Sequence, residues 1–351
     1  MLEITCRGTP YEIGLHHGYN AKDLIRENVT FYSQFFQDWS KVTWVEATTT
    51  AQAFLPYLKR HVPHLVEEMN GIAHGSGLEF SDILTLNSRS EIAMGMLTDG
   101  CTTVAWKTDM FCVAGQNWDW DIAQKSRLVL QHIIPVDGTK PRISQATEAG
   151  LLSKSGINSK GVAVFLNAIP QRGISLQALP IHIALREALE AVTREDAISR
   201  ITELGIATAG NILVADETGG TCLESSHADL IRLEMTAGQI AHTNHFVVRH
   251  SFTPSEKFPW PDTKPRLDRA AHLLEAYRSE LTAVTDGMKC IEHVLEDEDG
   301  FPAAINRCNA DGSNSATLFS IVSNLSRKSA RLRLGRPSAP EGIWDLNPAE
   351  L

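Results

Sequence analysis

The pattern of hydrophobic residues changes near residue 100, and this change limits the folds open to the chain. Residues 10–95 place apolar side chains three and four positions apart, which is the period of amphipathic helices. From residue 101 onward, short apolar runs between turn-like groups predict strands, with helices near 181–192, 194–204 and 265–296. A helical first third followed by strands and helix pairs predicts two packed sheets covered by helices, a four-layer α/β fold.

Individual strands can be predicted within this broad pattern, and one more precedes it. Residues 3–8 read as a short strand, and "GINSKGVAVFLNAI", 156–169, as a hairpin that turns at "NSKG". Four short strands are predicted over 208–243, and the last two are "SATLFSIVSNL" and "SARLRLGRP". The proline-rich stretch 251–265 is interpreted as a surface loop that leads into a helix.

Composition and charge exclude several classes of protein. The 351 residues are 43% hydrophobic and 21% charged, with a net charge of -10, which is typical of a soluble globular enzyme. No run of lysine and arginine suggests a nucleic-acid partner. The start does not resemble a signal peptide, no apolar stretch reaches the roughly 20 residues that span a bilayer, and "AEL" is not a peroxisomal address. A cytoplasmic protein without a membrane partner is expected.

One of the six cysteines, Cys101, stands in an unusual setting, "DGCTT". Glycine leaves the peptide bond after it uncovered, and cysteine is a strong nucleophile. Attack of the Cys101 thiol on the Gly100–Cys101 bond would give a thioester that water hydrolyses, and the freed α-amino group could then act as a general base. From the local residues alone, a buried structural cysteine is the favoured interpretation.

Other polar residues are candidates for a site, each with a plainer alternative. In "GQNWDWD", Asn117, Asp119 and Asp121 would share one face of a strand, either at a wet polar site or on a solvated edge. In "HTNH", Asn244 could donate to an oxyanion or cap a turn. His242 and His245 lack a third zinc ligand, so no metal is predicted.

Two further residues complete the candidates. Arg307, in "NRCNADG", could bind a carboxylate or lie on the surface, and Ser226, in "LESS", offers a hydroxyl. No nucleophile elbow of the Gly-x-Ser-x-Gly type, Walker A loop or dinucleotide fingerprint occurs, so serine-hydrolase, NTPase and dehydrogenase readings are disfavoured.

Taken in order, ten segments resemble the isopenicillin N acyltransferase family of the N-terminal nucleophile hydrolases. They run from "CRGTPYEIGLHHG" through "LNSRSE", "DGCTT", "GQNWD", "TEAGL", "GINSKGVAV", "LPIHIALREALE", "HTNH" and "EDEDGFP" to "ATLFSIV" with "LRLGRP". The resemblance implies an αββα sandwich made as a precursor and cut before Cys101. Residues 1–100 and 101–351 would then stay associated as one compact unit.

The resemblance also assigns roles to residues. Cys101 becomes nucleophile and, through its new amine, base; Asn244 becomes an oxyanion donor; Asp119 and Arg307 become polar groups near the nucleophile. Thr103, Ser226 and Arg307 are the expected substrate-binding residues. The fungal penicillin-making enzyme carries a peroxisomal address that this sequence does not show at its end, which argues against a peroxisomal β-lactam pathway.

The function expected from these residues is N-acyl transfer. An acyl group from an amide or acyl-CoA donor would pass through a Cys101 thioester to an amine, without a cofactor other than acyl-CoA as a co-substrate. The alternative is an amidohydrolase of the same fold that gives the acyl group to water. Two less favoured hypotheses are a non-catalytic binding protein and a zinc hydrolase.

Overall fold

Two β-sheets and the helices that cover them make up the computed structural model of the chain, which describes residues 1–93, 100–136, 138–252, 261–279, 286–310 and 313–351. In chain order the strands are β1 (Leu2–Gly8), β2 (Gly100–Lys107), β3 (Cys112–Asp121), β4 (Leu128–Pro135), β5 (Ile143–Glu148), β6 (Ser155–Asn158), β7 (Ala163–Ala168), β8 (Gly210–Asp216), β9 (Gly219–Ser225), β10 (Leu230–Glu234), β11 (Gln239–His242), β12 (Ser315–Asn324), β13 (Ser329–Leu334) and β14 (Gly342–Leu346). The α-helices are α1 (Pro10–Asn20), α2 (Lys22–Phe35), α3 (Trp44–Gln52), α4 (Leu55–His61), α5 (Pro63–Ser76), α6 (Phe80–Asn87), α7 (Arg89–Ile92), α8 (Ile181–Leu189), α9 (Arg194–Leu204), α10 (Thr263–Ser279) and α11 (Gly287–Leu295).

The strands pair into an eight-stranded sheet A and a six-stranded sheet B. Sheet A has the order β1-β4-β5-β6-β7-β8-β9-β10, and sheet B has the order β11-β2-β3-β12-β13-β14. Only the pairing of β1 with β4 is parallel among the described strands. Because β1 is an edge strand of sheet A, the N-terminal segment Leu2–Gly8 is part of the sandwich.

Helices lie on the outer face of each sheet. Helices α1, α8 and α9 contact sheet A, while α10 and α11 contact sheet B and enclose a second apolar core with Val104, Trp106 and Ile291. Contacts of β2 with β7 and β9 join the inner faces of the two sheets. The predicted four-layer αββα sandwich is confirmed.

Local sequence signals explain where individual elements begin and turn. Thr9 caps α1 and exchanges hydrogen bonds with Glu12, and Pro10 occupies the first helical turn. In the predicted hairpin, the Asn158 side chain accepts hydrogen bonds from the backbone of Lys160 and Val162, which closes the turn between β6 and β7.

The register of β2 against β3 decides what surrounds the candidate nucleophile. Gly100 lies opposite Asp119, and Cys101 lies opposite Trp118. Since neighbouring side chains alternate between faces, Cys101 and Trp118 point into the core between the sheets, and Gly100 and Asp119 face the α10–α11 layer.

The structure differs from the sequence interpretation at three places. A further strand, β14, follows the two predicted at the end of the chain. The described part of the long helical block consists of α10 and α11, with 280–285 outside the described residues, and the loop predicted over 251–265 already gives way to α10 at Thr263. Asp99 of "DGCTT", the helix end predicted near residue 95, and 253–260 of that loop lie outside the described residues. In the parts of the chain that are described, no helix has the length and apolar character needed to cross a bilayer.

Candidate active site

The peptide unit of Cys101 is held on both sides by buried groups. Its N–H donates to Asn244 Oδ1 at 2.9 Å, and its carbonyl accepts from Arg266 Nη1 at 2.8 Å. The cysteine is 1% exposed. The bond between Gly100 and Cys101 therefore lies in a fixed environment at the start of β2, where the chain enters the sheet.

Gly100 is required by close contacts rather than by backbone conformation. A Cβ at this position would lie 2.8 Å from Asp119 Oδ2 and 2.9 Å from Arg307 Nε. Any larger side chain would displace this ion pair from the peptide that precedes Cys101. The glycine thus lets a carboxylate and a guanidinium approach the Gly100–Cys101 bond directly.

Asp119, Arg307 and the partly exposed Asp262 form a chain of opposite charges. Arg307 Nε lies 3.3 Å from Asp119 Oδ2, its Nη2 donates to Asp262, and Thr317 Oγ1 donates to Asp119 Oδ1 at 2.6 Å. Burial raises the pKa of the Asp119 carboxyl to about 6, although Arg307 and Arg266 act in the opposite direction. Burial also disfavours the charge on Arg307, but Asp119 and Asp262 outweigh it and raise its pKa.

The polar face predicted on β3 is largely buried rather than a solvated edge, and one of its residues, Asp119, belongs to the polar cluster beside Gly100. Asn117 donates to the carbonyls of Leu295 at 2.7 Å and Ile305 at 2.9 Å, and thereby secures the end of α11 on sheet B. Asp121, at the end of the strand, accepts from the backbone of Ala123. Of the three polar residues, Asp119 alone is adjacent to Gly100.

Asn244 is fixed by its own side chain and by its backbone. Its Nδ2 donates to Ala168 O at 2.9 Å, and its backbone N–H donates to Thr263 Oγ1 at 2.8 Å, at the start of α10. An amide nitrogen carries two hydrogens, so the second N–H of Nδ2 can serve an oxyanion. The Asn244 amide is therefore held in a fixed orientation by groups of the protein itself.

Buried histidines support the loop that carries Asn244. Glu224 accepts from His242 Nε2 at 2.7 Å and His250 Nε2 at 3.0 Å, and it also accepts from two backbone N–H groups of the loop. His245 Nδ1 bonds the Thr263 hydroxyl at 3.0 Å. His242 and His245 therefore have separate partners and act in this structure as supports for residues 242–248.

The residues expected to bind substrate are engaged within the protein. Thr103 Oγ1 donates to Asn167 Oδ1 at 2.8 Å, and Ser226 Oγ bonds the Asp229 carboxylate at 2.5 Å. Arg307 is 5% exposed, so it is not a surface arginine, and it contacts two carboxylates. The substrate-binding roles of Thr103, Ser226 and Arg307 stay predictions.

Arg266 and Asp262 are functional candidates that the sequence interpretation missed. Arg266 Nε donates to Asp262 Oδ2 at 2.8 Å, and the two residues are four positions apart at the start of α10. Acid–base spacing of this kind indicates a helical ion pair. The spacing of Asp262 and Arg266 does not indicate that Arg266 contacts Cys101, because Cys101 is 165 residues away along the chain.

A small apolar pocket lies beside Asn244. Its cavity volume is about 10 Å³, close to the space that one water molecule needs, and its lining consists of Ser90, Leu166, Ala168, Ile169, Ile181, Thr208 and Ala209. Ala168 is also the residue whose carbonyl accepts from the Asn244 amide.

One cluster of potential metal ligands occurs among the described residues, formed by His64, Glu187 and Glu190. Their ligand atoms lie within 4.8 Å of one another. Arg200 contacts Glu187 at 3.0 Å, Arg186 contacts Glu190 at 3.0 Å, and Lys140 also pairs with Glu190. Because cations already balance these carboxylates, the cluster is an ion-pair network that joins α5 to α8.

The arrangement matches solved structures at the level of the fold. A variant of conjugated bile acid hydrolase from Clostridium perfringens aligns with a TM-score of 0.51 and 12% identity, over 72% of this chain and 93% of that one. The likeness shows a shared fold, an αββα sandwich in which Cys101 lies at the start of β2, next to the edge strand β11 of sheet B.

Comparison of the amino-acid sequence with known proteins identifies the family of the chain. Residues 106–339 match the family described as "Acyl-coenzyme A:6-aminopenicillanic acid acyl-transferase", and the chain belongs to this family. A relative from Emericella nidulans (strain FGSC A4), named "Acyl-coenzyme A:6-aminopenicillanic-acid-acyltransferase 40 kDa form", is 38% identical over 100% of this chain and 97% of its own length. The family and the fold make the chain an enzyme that acts on amide bonds.

Proposed function

We propose that this chain is a self-processing N-acyltransferase that carries an acyl group on the sulfur of Cys101. The observation that carries the proposal is the environment of the Gly100–Cys101 peptide. Asn244 and Arg266 bond the Cys101 backbone, and the Asp119–Arg307 pair lies against Gly100. Family membership supports acyl transfer as the reaction.

Maturation begins with attack of the Cys101 sulfur on the Gly100 carbonyl carbon. The carbon–sulfur bond forms, the Gly100–Cys101 peptide bond breaks, and the thiol proton goes to the departing nitrogen. Water then attacks the thioester, which releases a carboxylate at Gly100 and restores the thiol. The new α-amino group has a reference pKa of roughly 7.7–8.0, so it can take up a proton near neutral pH.

Turnover repeats this chemistry on a substrate. The α-amino group removes the thiol proton, the sulfur attacks the acyl carbonyl of the donor, and the second N–H of Asn244 Nδ2 stabilises the oxyanion. The rest of the donor leaves as an amine or as free CoA, while the acyl group stays on the sulfur. The nitrogen of an acceptor amine then attacks this thioester and takes the acyl group. Acyl-CoA and 6-aminopenicillanic acid, named for the family and for the Emericella relative, are the first donor and acceptor to test.

The alternative function is amide hydrolysis through the same thioester. The C. perfringens structure is a hydrolase by name, but its likeness extends to the fold alone. Transfer is favoured because the relative that aligns over the whole chain is an acyltransferase by name. In this proposal the enzyme acts in the cytoplasm and uses acyl-CoA only as a co-substrate. It needs no other cofactor and has no nucleic-acid or membrane partner.

The test is a search for the acyl-enzyme. Protein that has matured is mixed with amide and acyl-CoA donors, quenched in acid, and its fragment 101–351 is weighed intact. A mass increase equal to the acyl group, absent in Cys101→Ala, supports the proposal. A donor that is consumed without any adduct in rapidly quenched samples contradicts it.

A further inference from the structure

Arg266 is the cation that contacts both the candidate nucleophile and the candidate oxyanion donor. It lies in the first turn of α10 and is 2% exposed. Its Nη1 donates to Cys101 O at 2.8 Å and to Thr102 Oγ1 at 3.1 Å, and its Nη2 donates to Asn244 Oδ1 at 2.9 Å. One rigid guanidinium thus spans the residues on either side of the reaction centre.

The charge of Arg266 is balanced inside the protein. Asp262 accepts from Arg266 Nε at 2.8 Å and also pairs with Arg307, which in turn pairs with Asp119. Two carboxylates and two guanidinium groups therefore alternate in one largely buried chain of ion pairs. Burial alone would raise the pKa of Asp262, but Arg266 and Arg307 hold it below its usual range. Asp262 thus remains a carboxylate that orients both arginines.

The geometry of Asn244 gives this contact a specific consequence. In the uncut chain the Cys101 N–H can only donate, so it selects the oxygen of the Asn244 amide. After cleavage that nitrogen becomes an amine, which can donate or accept, and it no longer selects one end of the amide. A guanidinium has donors only, so Arg266 continues to select Oδ1 at the nucleophile, and the Ala168 carbonyl, which only accepts, selects Nδ2; together they keep Nδ2 as the oxyanion donor.

We propose that Arg266 is a positioning residue for the acyl-transfer reaction: it sets the orientation of Asn244 and anchors the carbonyl of Cys101 once that residue is a chain terminus. The inference rests on the proposed function, since it assigns Arg266 to the Cys101 thioester chemistry. A terminal residue has lost its covalent tether at the amine, so the carbonyl contact at 2.8 Å fixes its backbone.

The test compares Arg266 with a matched arginine of the same helix. Arg266→Met and Arg266→Lys are set beside Arg269→Met, because Arg269 lies one turn along α10 and pairs with Asp297 away from Cys101. On matured protein we expect kcat to fall roughly 10- to 100-fold in both Arg266 variants with little change in KM, the size that a misplaced catalytic group costs. Arg269→Met should keep its kcat.

A second measurement separates positioning from general damage. If Arg266 acts through Asn244, Arg266→Lys should lower kcat much less in an Asn244→Ala background than in the wild type. An additive loss, or a kcat of Arg266→Lys within threefold of wild type, overturns the inference. Should Arg266→Met fail to fold, Arg266→Lys decides by the same criteria. Failure of the wild type itself to form an adduct on Cys101 would reject the proposed function instead.

Discussion

At the scale of single residues, Asn244 offers the clearest test of transition-state stabilisation. We expect Asn244→Ala to lower kcat by about 10²–10³, the loss that follows removal of one oxyanion donor. Asn244→Asp should recover nothing, because a carboxylate repels the developing negative charge. Steady-state rates are measured on protein whose cleavage has been verified by mass.

The control for Asn244 is Asn28, whose buried amide makes a similar bond elsewhere. Asn28 Nδ2 donates to Ala149 O at 2.7 Å, as Asn244 Nδ2 donates to Ala168 O at 2.9 Å. Asn28→Ala should keep the wild-type kcat at a temperature where it stays folded. A change below about threefold in Asn244→Ala would remove Asn244 from the mechanism.

Asp119 gives the site a dependence on pH. The ionised carboxyl balances Arg307, and burial raises its pKa to about 6. As pH falls through about 6 the Asp119 carboxyl takes up a proton and loses its negative charge. The positive charge of Arg307 beside Gly100 is then only partly neutralised, so kcat/KM should fall. Thr317→Val removes a hydrogen bond that favours the charged form and should move this acid limb up by roughly one pH unit.

Thr317→Ser is the control for this shift, because it keeps the hydroxyl that donates to Asp119. Profiles of kcat/KM against pH are recorded for the three proteins under the same buffer conditions. An acid limb at the same pH in wild type and Thr317→Val would show that ionisation of Asp119 does not govern the reaction.

The sequence predicts part of the site because its residues occur in short motifs. Asn244, Asp119 and Arg307 were identified from segments that resemble the family, and the structure places Asp119 and Arg307 against Gly100 and Asn244 against Cys101. Arg266 was not identified, since its partners lie 22 and 165 residues away and no local pattern encodes such contacts. Tertiary contacts between distant residues are what motif reasoning cannot supply.

At the scale of elements, buried ion pairs join the first hundred residues to the rest. Arg89 of α7 donates to Glu148 of β5 at 2.8 Å, and both side chains are fully buried. Arg186 of α8 likewise pairs with Glu68 of α5 at 2.8 Å. These contacts cross the proposed cleavage point and support the expectation that the two fragments stay associated.

Arg89→Met should destabilise this association by about 3–5 kcal/mol, because it leaves the buried Glu148 carboxylate without its main partner. The control is Arg232→Met, which removes an exposed pair with Glu195 and should cost less than about 1 kcal/mol. Urea unfolding, followed by tryptophan fluorescence, measures both. Equal midpoints for the two variants would contradict a dominant role for the buried pair.

Hydrophobic periodicity predicts most elements because each buries one apolar face. The helices α8 and α9 and the four strands β8 to β11 occur where the sequence places them. Strand β14 was missed because it is a short edge strand in which Ile343 remains 55% exposed, so it lacks a continuous apolar signal. Edge position and exposure, rather than composition, make such strands hard to recognise.

At the scale of the whole molecule, the account predicts a protein that is cut and yet behaves as one body. Purified wild type should give fragments 1–100 and 101–351 in denaturant, and it should migrate as a single particle under native conditions because β1 is paired within sheet A. Cys101→Ala should remain uncut. A wild type that stays one chain after long incubation would contradict self-processing.

The central claim, transfer of an acyl group through a Cys101 thioester, is tested most directly by the kinetic order of the two substrates. A thioester releases the leaving group before the acceptor amine binds, so double-reciprocal plots at several acceptor concentrations should be parallel. The ratio of transfer to hydrolysis should rise with amine concentration. A ratio that does not respond to the amine would select the amidohydrolase. Intersecting lines, with no acyl adduct on Cys101 in quenched samples, would contradict the covalent mechanism.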